Sequence, residues 1–384
     1  MIPYGRQSIS IEDIEEVINV LKSDFLTQGP RVEEFEESLV NYTKSKFGVA
    51  TNSATSALHI ACLALDLNKG DYLWTSANSF VASANCGLYC GANIDFVDID
   101  TSTYNISVDH LESKLKKAQK ENKLPKILIP VHFAGQSSQM DKIFELSKEY
   151  GFRIIEDASH AIGGNFLDSK VGNCQFSDIT IFSFHPVKII TTGEGGMATT
   201  NSPDLYSKMK LLRSHGITRD NNEFINLSHG PWYYEQQDLG FNYRITDIQA
   251  ALGISQLSRI DKNISKRHAI RKYYDENLKD IGITLPFQHK DSYSSMHLYP
   301  VLLNDEHIHN KKALFMELRN KGLGVNVHYI PIHLQPYFQK LGYKKGDYPK
   351  AEEYYQRSIS IPMYHALSEN ELEKVTSIMI EVLT

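Results

Sequence analysis

Between residues 45 and 200 the chain alternates short, β-rich apolar runs with stretches of helical period, and no other feature limits its possible folds so sharply. KILIPVHF (126–133) reads as a buried strand, MDKIFELSKEYG (140–151) as an amphipathic helix closing on Gly151, and FRIIED (152–157) as the next strand. That is one βαβ unit, and others flank it. NSATSALHIACLALDL (52–67) predicts a helix entered through small polar residues, DYLWTS (71–76) a strand, SFVASANCGLYCG (79–91) a helix, IDFVDID (94–100) a strand, and DITIFSF (178–184) a further buried strand running into a turn and GEGGMATT (193–200). Strands joined this way lie parallel and need helices on both faces. The expectation is an α/β body with a mostly parallel sheet.

The alternation stops near residue 250. ITDIQAALGISQLSRIDKNISKRHAIRKYYDENL (245–278) predicts one long, charge-dotted helix, while HLYPVLL (297–303), LFMELRNKGLGVNVHY (314–329) and EEYYQRSISIP (352–362) predict a smaller α+β C-terminal domain. A chain of 384 residues accommodates two such units. The first is assigned to 1–250, a large ligand-binding domain carrying an N-terminal segment. The second is 251–384, a connecting helix and the small domain. GITRDNNEFINLSHGPWYYEQQD (216–238) is polar, aromatic and without clear period, the pattern of a long functional loop.

Composition narrows the partners. A net charge of −6 provides no basic field for displacing counterions from a duplex, so nucleic acid is excluded as a main partner. Four cysteines, Cys62, Cys86, Cys90 and Cys174, are too few for a disulfide framework and lack paired CxxC spacing, which suits a reducing compartment. The opening MIPYGRQSISIEDIEEVI turns acidic before any apolar core of signal-peptide length, and no run approaches the ~20 apolar residues of a bilayer span. The expectation is a cytoplasmic protein with no membrane partner.

Ligands of open α/β sheets bind beyond the carboxyl ends of the strands. Asp157 ends FRIIED, Ser183 ends ITIFS, and Lys188 follows shortly after in SFHPVKIITTGEGG. Singly, Asp157 could cap a helix and Lys188 could be a surface lysine; together they fall at one edge of one predicted sheet. A lysine and a carboxylate facing one crevice suit pyridoxal 5'-phosphate (PLP), which is held through a Lys Schiff base while an Asp pairs with its pyridine nitrogen. Its phosphate needs a cradle, and the helix opening in NSATSALHIA offers hydroxyls and free N–H groups at its positive end. Thr55 and Ser56 are the candidate donors, with Ser183 converging; the alternative is that Ser53 or Thr55 only caps the helix.

The segments NSATSALHIA, SFVASAN, EDASHAIG, FSFHPVKIITTGEGG, LGFNYRITDIQAALG and VNVHYIPIH resemble the DegT/DnrJ/EryC1/StrS aminotransferases, PLP enzymes that aminate nucleotide-linked keto-sugars, and the resemblance runs from Tyr4 to near the C-terminus. It implies the aspartate aminotransferase-like fold type I, with Lys188 bonded to the cofactor, Asp157 on the pyridine nitrogen and Ala54 beside the cofactor. His160 stands where many relatives carry a Gln that hydrogen-bonds the cofactor's 3-oxygen. Phe80 matches the ring-stacking residue, although by sequence alone an aromatic in SFVASAN reads as core packing. Asn242 and Arg244 of GFNYR match positions that reach across a dimer interface, Asn242 to the neighbour's cofactor phosphate and Arg244 to the nucleotide diphosphate, where a planar fork donor suits phosphate oxygens. An obligate homodimer with composite sites follows. Tyr4, Phe25, Leu26, Thr27, Ala54, Asn326, Val327, His328 and Tyr329 match substrate-contacting segments, and Ser183 and Asn242 are placed with them; His185 is either structural or close to the substrate phosphates. His328 and His333 lack metal-site spacing, so no metal is expected.

Within the family, EDASHAIG with FSFHPVKIITT, LLRSHG, HLYPVLL and VHYIPIH is most similar to the members that aminate C4 of UDP-2-acetamido-2,6-dideoxy-β-L-arabino-hex-4-ulose on the route to pseudaminic acid, with L-glutamate as the family's usual donor. Relatives that remove a C3 hydroxyl carry His where this chain has Lys188, which favours amination over dehydration. Still open are a sibling transaminase acting on another UDP- or dTDP-linked 4-keto-sugar and a non-catalytic protein that keeps the fold for binding. A generic nucleotide-binding protein is disfavoured, because neither GxGxxG after the first strand nor a Walker loop occurs.

Overall fold

A computed structural model describes residues 1–384. Its centre is a seven-stranded sheet. The strands are β1 (Phe47–Thr51), β2 (Tyr72–Ser76), β3 (Asn93–Val97), β4 (Ile127–Ile129), β5 (Arg153–Asp157), β6 (Ile179–Ser183) and β7 (Gly196–Thr200), in the order β1-β7-β6-β5-β4-β2-β3. All run parallel except β7, which is antiparallel to both neighbours. Period-two alternation splits the side chains between the two faces. Leu73, Ile127, Ile155, Ile179 and Ile181 pack on one side with α3 (Ala54–Ala64), whereas Trp74, Leu128 and Ile154 pack on the other. Near the antiparallel edge, Ala50, Phe182 and Met197 face α2 (Pro30–Thr43).

Most expected elements are present with shorter ends. The run 126–133 yields only three strand residues because Pro130, lacking an N–H, ends the ladder. The helix Met140–Tyr150 closes on Gly151 in the left-handed region, φ 78°. The stretch 245–278 is two helices, α8 (Asp247–Leu257) and α9 (Ile260–Leu278). At the break Arg259 turns to bind both carboxylate oxygens of Asp13, at 2.7 and 2.8 Å. Asp13 lies fully buried on α1 (Ile11–Leu21), so the interruption fastens the N-terminal helix to the body. Residues 216–238 are also more ordered than their composition suggests. Ile217–Thr218 pairs with Glu235–Gln236, and the Glu235 carboxylate accepts the N–H groups of Ile225 and Asn226 at 2.7 Å, making it the hub of the loop.

The small C-terminal unit is a three-stranded antiparallel sheet of β8 (Ile283–Thr284), β9 (Tyr299–Leu303) and β10 (Ser358–Ile361). Its own apolar cluster joins Tyr274 of α9, Val301 and Met379. The first residues of the chain belong to this cluster too, since Ile2–Pro3 pairs in parallel with Leu323–Gly324 and Ile2 is buried there. That crossing brings Tyr4 beside the loop 326–329.

Candidate active site

The carboxyl ends of β1, β5 and β6 open into a cavity of about 860 Å³, whose remaining wall comes from residues 326–329 and the N-terminal Tyr4. Lys188 enters it from the turn after β6. Burial pushes its amine down to about 8, with the Asp157 charge pulling partly the other way. Asp157 sits at the last position of β5 with both oxygens occupied. Oδ2 accepts the Ser83 hydroxyl at 2.6 Å and Oδ1 accepts the Ser159 N–H at 3.1 Å. Ser83 lies on α4 (Ala82–Tyr89) and is itself 2.9 Å from the Ser79 hydroxyl. The carboxylate therefore cannot turn away from the crevice without losing both bonds.

The cradle forms where β1 runs into α3. Ser53 is the N-cap, accepting the Ser56 N–H at 3.1 Å, and the Ser56 hydroxyl turns back to Asn52 Oδ1 at 2.6 Å. The N–H groups of Ala54 and Thr55 have no partner in the chain, and both residues line the cavity. Ser53 does the capping, which leaves the Ala54 and Thr55 N–H groups unused. Gly196 of β7 lies directly against this start: a Cβ there would come within 2.4 Å of the Ala54 nitrogen.

His160, three residues beyond Asp157, is buried, and its Nε2 lies 3.1 Å from the Tyr329 hydroxyl. Burial, reinforced by Lys188 and His328, holds its titration well below the usual imidazole range. His328 is pushed down to about 3 by burial and by Lys188, and its Nδ1 meets the Ser360 hydroxyl at 2.9 Å. Phe80 is 58% exposed at the cavity, its ring 6.2 Å from that of Tyr329, so it is not a core residue. His185 is exposed at the same cavity.

Of the residues singled out in the sequence, the cavity gathers Tyr4, Ala54, Thr55, Ser56, Phe80, Asp157, His160, Ser183, His185, Lys188, Asn326, Val327, His328 and Tyr329. Phe25, Leu26, Thr27, Asn242 and Arg244 lie outside it. Thr27 bridges Thr246, and the 242–243 peptide runs past Asn52, whose N–H reaches the Tyr243 carbonyl at 2.8 Å. Sequence reasoning missed Ser83, Ser159, Glu194, Gln249 and His297. Ser79 and Ser83, four apart in SFVASAN, carried a helical signal. His297 carried none; a fold-back sets its ring 4.4 Å from that of His160.

A parallel sheet with one antiparallel strand, a half-buried lysine in the turn leading to that strand, a clamped aspartate and free helix-start amides define a PLP-dependent aminotransferase of fold type I. Residues 7–380 match the model of the DegT/DnrJ/EryC1/StrS aminotransferase family, and the chain belongs to that family. Its cofactor is accordingly PLP. The chain is 39% identical to the UDP-4-amino-4,6-dideoxy-N-acetyl-beta-L-altrosamine transaminase of Campylobacter jejuni, over all of this chain and 98% of that one. Among solved structures it is similar to Helicobacter pylori PseC, an aminotransferase involved in the biosynthesis of pseudoaminic acid, with TM-score 0.90 and 32% identity over all of this chain and 99% of that one. It is also similar to Spr1654 of Streptococcus pneumoniae in its PLP form, with TM-score 0.88 and 29% identity over the full length of both chains.

Proposed function

We propose that this sugar aminotransferase moves the amino group of L-glutamate to C4 of UDP-2-acetamido-2,6-dideoxy-β-L-arabino-hex-4-ulose, the amination step toward pseudaminic acid, and that it works in the cytoplasm as a homodimer with shared sites. The observation that carries the chemistry is the meeting of Lys188, Asp157 and the free Ala54 and Thr55 amides in one cavity. The relatives named above support the choice of sugar.

Bound PLP supplies an electron sink that acidifies a C–H bond beside nitrogen. Lys188 Nζ, whose lowered affinity for protons suits a base near neutral pH, would take the proton from the donor's α-carbon and, in the second half of the cycle, deliver one to C4 of the sugar. Asp157, fixed by Ser83 and Ser159, would pair with the ring nitrogen of the bound cofactor. The Ala54 and Thr55 N–H groups and the Ser183 hydroxyl would hold the phosphate. Phe80 offers its exposed ring for stacking.

The dimer is supported by α1. Its buried face packs on α8, while Ile11, Ile14, Ile18 and Leu21 form an apolar stripe, 39–66% exposed, that continues into exposed Phe25 and Leu26. The next residue, Thr27, bridges Thr246, close in sequence to Asn242 and Arg244. A cytoplasmic setting accords with four free cysteines, and no helix is long and apolar enough to cross a membrane. The test is to incubate the protein with PLP, L-glutamate and a panel of UDP-4-keto-sugars and to identify products by NMR. Amination of the L-arabino sugar is expected; amination of only a D-configured sugar would overturn the substrate assignment.

A further inference from the structure

Behind the cavity wall lies a carboxylate–imidazole pair that does not line it. Glu156 precedes Asp157 on β5 and faces the other side of the sheet. Its Oε2 is 2.7 Å from His132 Nε2, and its Oε1 accepts the hydroxyls of Ser177 and Thr180. The second ring nitrogen of His132, Nδ1, accepts the Ser138 N–H at 3.2 Å. A ring that accepts at Nδ1 and faces a carboxylate at Nε2 carries its proton on Nε2. These bonds fix both ends of the turn 132–138, helped by the His132 N–H on the Asp157 carbonyl at 3.0 Å. In the middle of the turn Ala134 adopts φ 56°, and its N–H donates to His160 Nδ1 at 3.3 Å, while its carbonyl accepts the His297 N–H at 2.9 Å.

We infer that Glu156 and His132 are positioning residues that hold His160, through the Ala134 amide, as the tautomer protonated on Nε2, so that an N–H donor always faces the cavity. The purpose of that donor, a hydrogen bond to the cofactor's 3-oxygen, rests on the PLP reading above. A Gln side chain can place one of its amide N–H donors at the same point, which explains how imidazole and carboxamide can share this position in the family. The groups facing His160 are Lys188, His297, His328 and Tyr329, and none is an anion that would favour its charged form. The Ser295 hydroxyl, bonded to the His160 carbonyl at 2.6 Å, fixes the backbone from the other side.

Long-range ¹H–¹⁵N spectra of histidine-labelled, cofactor-free protein from pH 6 to 9 report the tautomer, with His160→Gln identifying the resonance. Wild-type His160 is expected as neutral Nε2–H throughout. His132→Gln keeps it so, since an amide can donate to Glu156 and accept from Ser138. His132→Phe lets His160 populate Nδ1–H and, once PLP is bound, moves the pH midpoint of the visible absorption by about one unit. Should His132→Phe not fold, Glu156→Gln, which retains one acceptor oxygen for three donors, takes its place in the same comparison. An Nδ1–H wild type, or His160 signals unchanged when the pair is broken, overturns the inference. Because the spectra need no cofactor, failure of the protein to colour with PLP would defeat the functional reading and leave the tautomer result intact.

Discussion

Lys188 combines a charge with a site that disfavours charge, and this gives its amine a measurable signature. Its folded value near 8 lies below that of an unfolded lysine, so between about pH 8 and 10 the unfolded chain binds more protons, and stability rises with pH across that window. Below it, holding the ammonium in place costs up to about 3 kcal/mol, less whatever solvent in the open cavity screens. Lys188→Met is therefore expected to stabilise the cofactor-free protein at pH 7, with the gain vanishing by about pH 10. Thermal unfolding at both pH values measures it, and parallel curves for the two proteins would contradict the burial argument. The same variant should lack the Schiff-base absorption that the wild type forms with PLP. Lys188 and Asp157 could be read from sequence because the ends of parallel strands are where sheets place chemistry. The relay from Glu156 to His160 could not, since its bonds join residues up to 26 positions apart or run through the backbone of Ala134, whose side chain is irrelevant to them.

At the scale of elements, period-two alternation and one glycine cap were enough to locate the strands around the site and helix 140–150. The breaks were harder to see. Nothing in the 245–278 pattern marks the interruption at Arg259, because its cause is Asp13, nearly 250 residues away. Likewise a carboxylate hub organises 216–238 without any apolar period. The site depends most on the junction of β7 with the start of α3, where Gly196 leaves room for the Ser53–Ala54 backbone. A methyl group there meets main chain rather than a flexible side chain, so the helix start must move. Gly196→Ala is expected to destabilise by about 1–3 kcal/mol and to weaken PLP binding about tenfold or more, because the displaced amides are those of the cradle. Urea unfolding and a PLP titration separate the two effects. Unchanged PLP affinity would show that the Ala54 and Thr55 amides do not hold the phosphate.

For the whole molecule, the geometry divides the expected ligand contacts in two. One group lines the cavity of its own chain, while Phe25–Thr27, Asn242 and Arg244 stand outside it, Phe25–Thr27 shortly after an exposed apolar helix face. If those residues serve the partner's cavity, a chain with Lys188→Ala and a chain with Arg244→Ala can complement each other. A mixed dimer then contains one site with an intact Lys188 from one subunit and an intact Arg244 from the other, and a second site lacking both. Each homodimer is defective at both sites. Mixing the two variants in equal amounts after dissociation should restore about a quarter of wild-type sites, since about half of the dimers are mixed and each has one good site. If Arg244 acted within its own chain, every site in the mixture would lack one of the two groups and no activity would return. The rate of amino-sugar formation before and after subunit exchange decides between the two arrangements. Ile14→Glu, placed in the middle of the apolar stripe, should prevent the exchange and the recovery together.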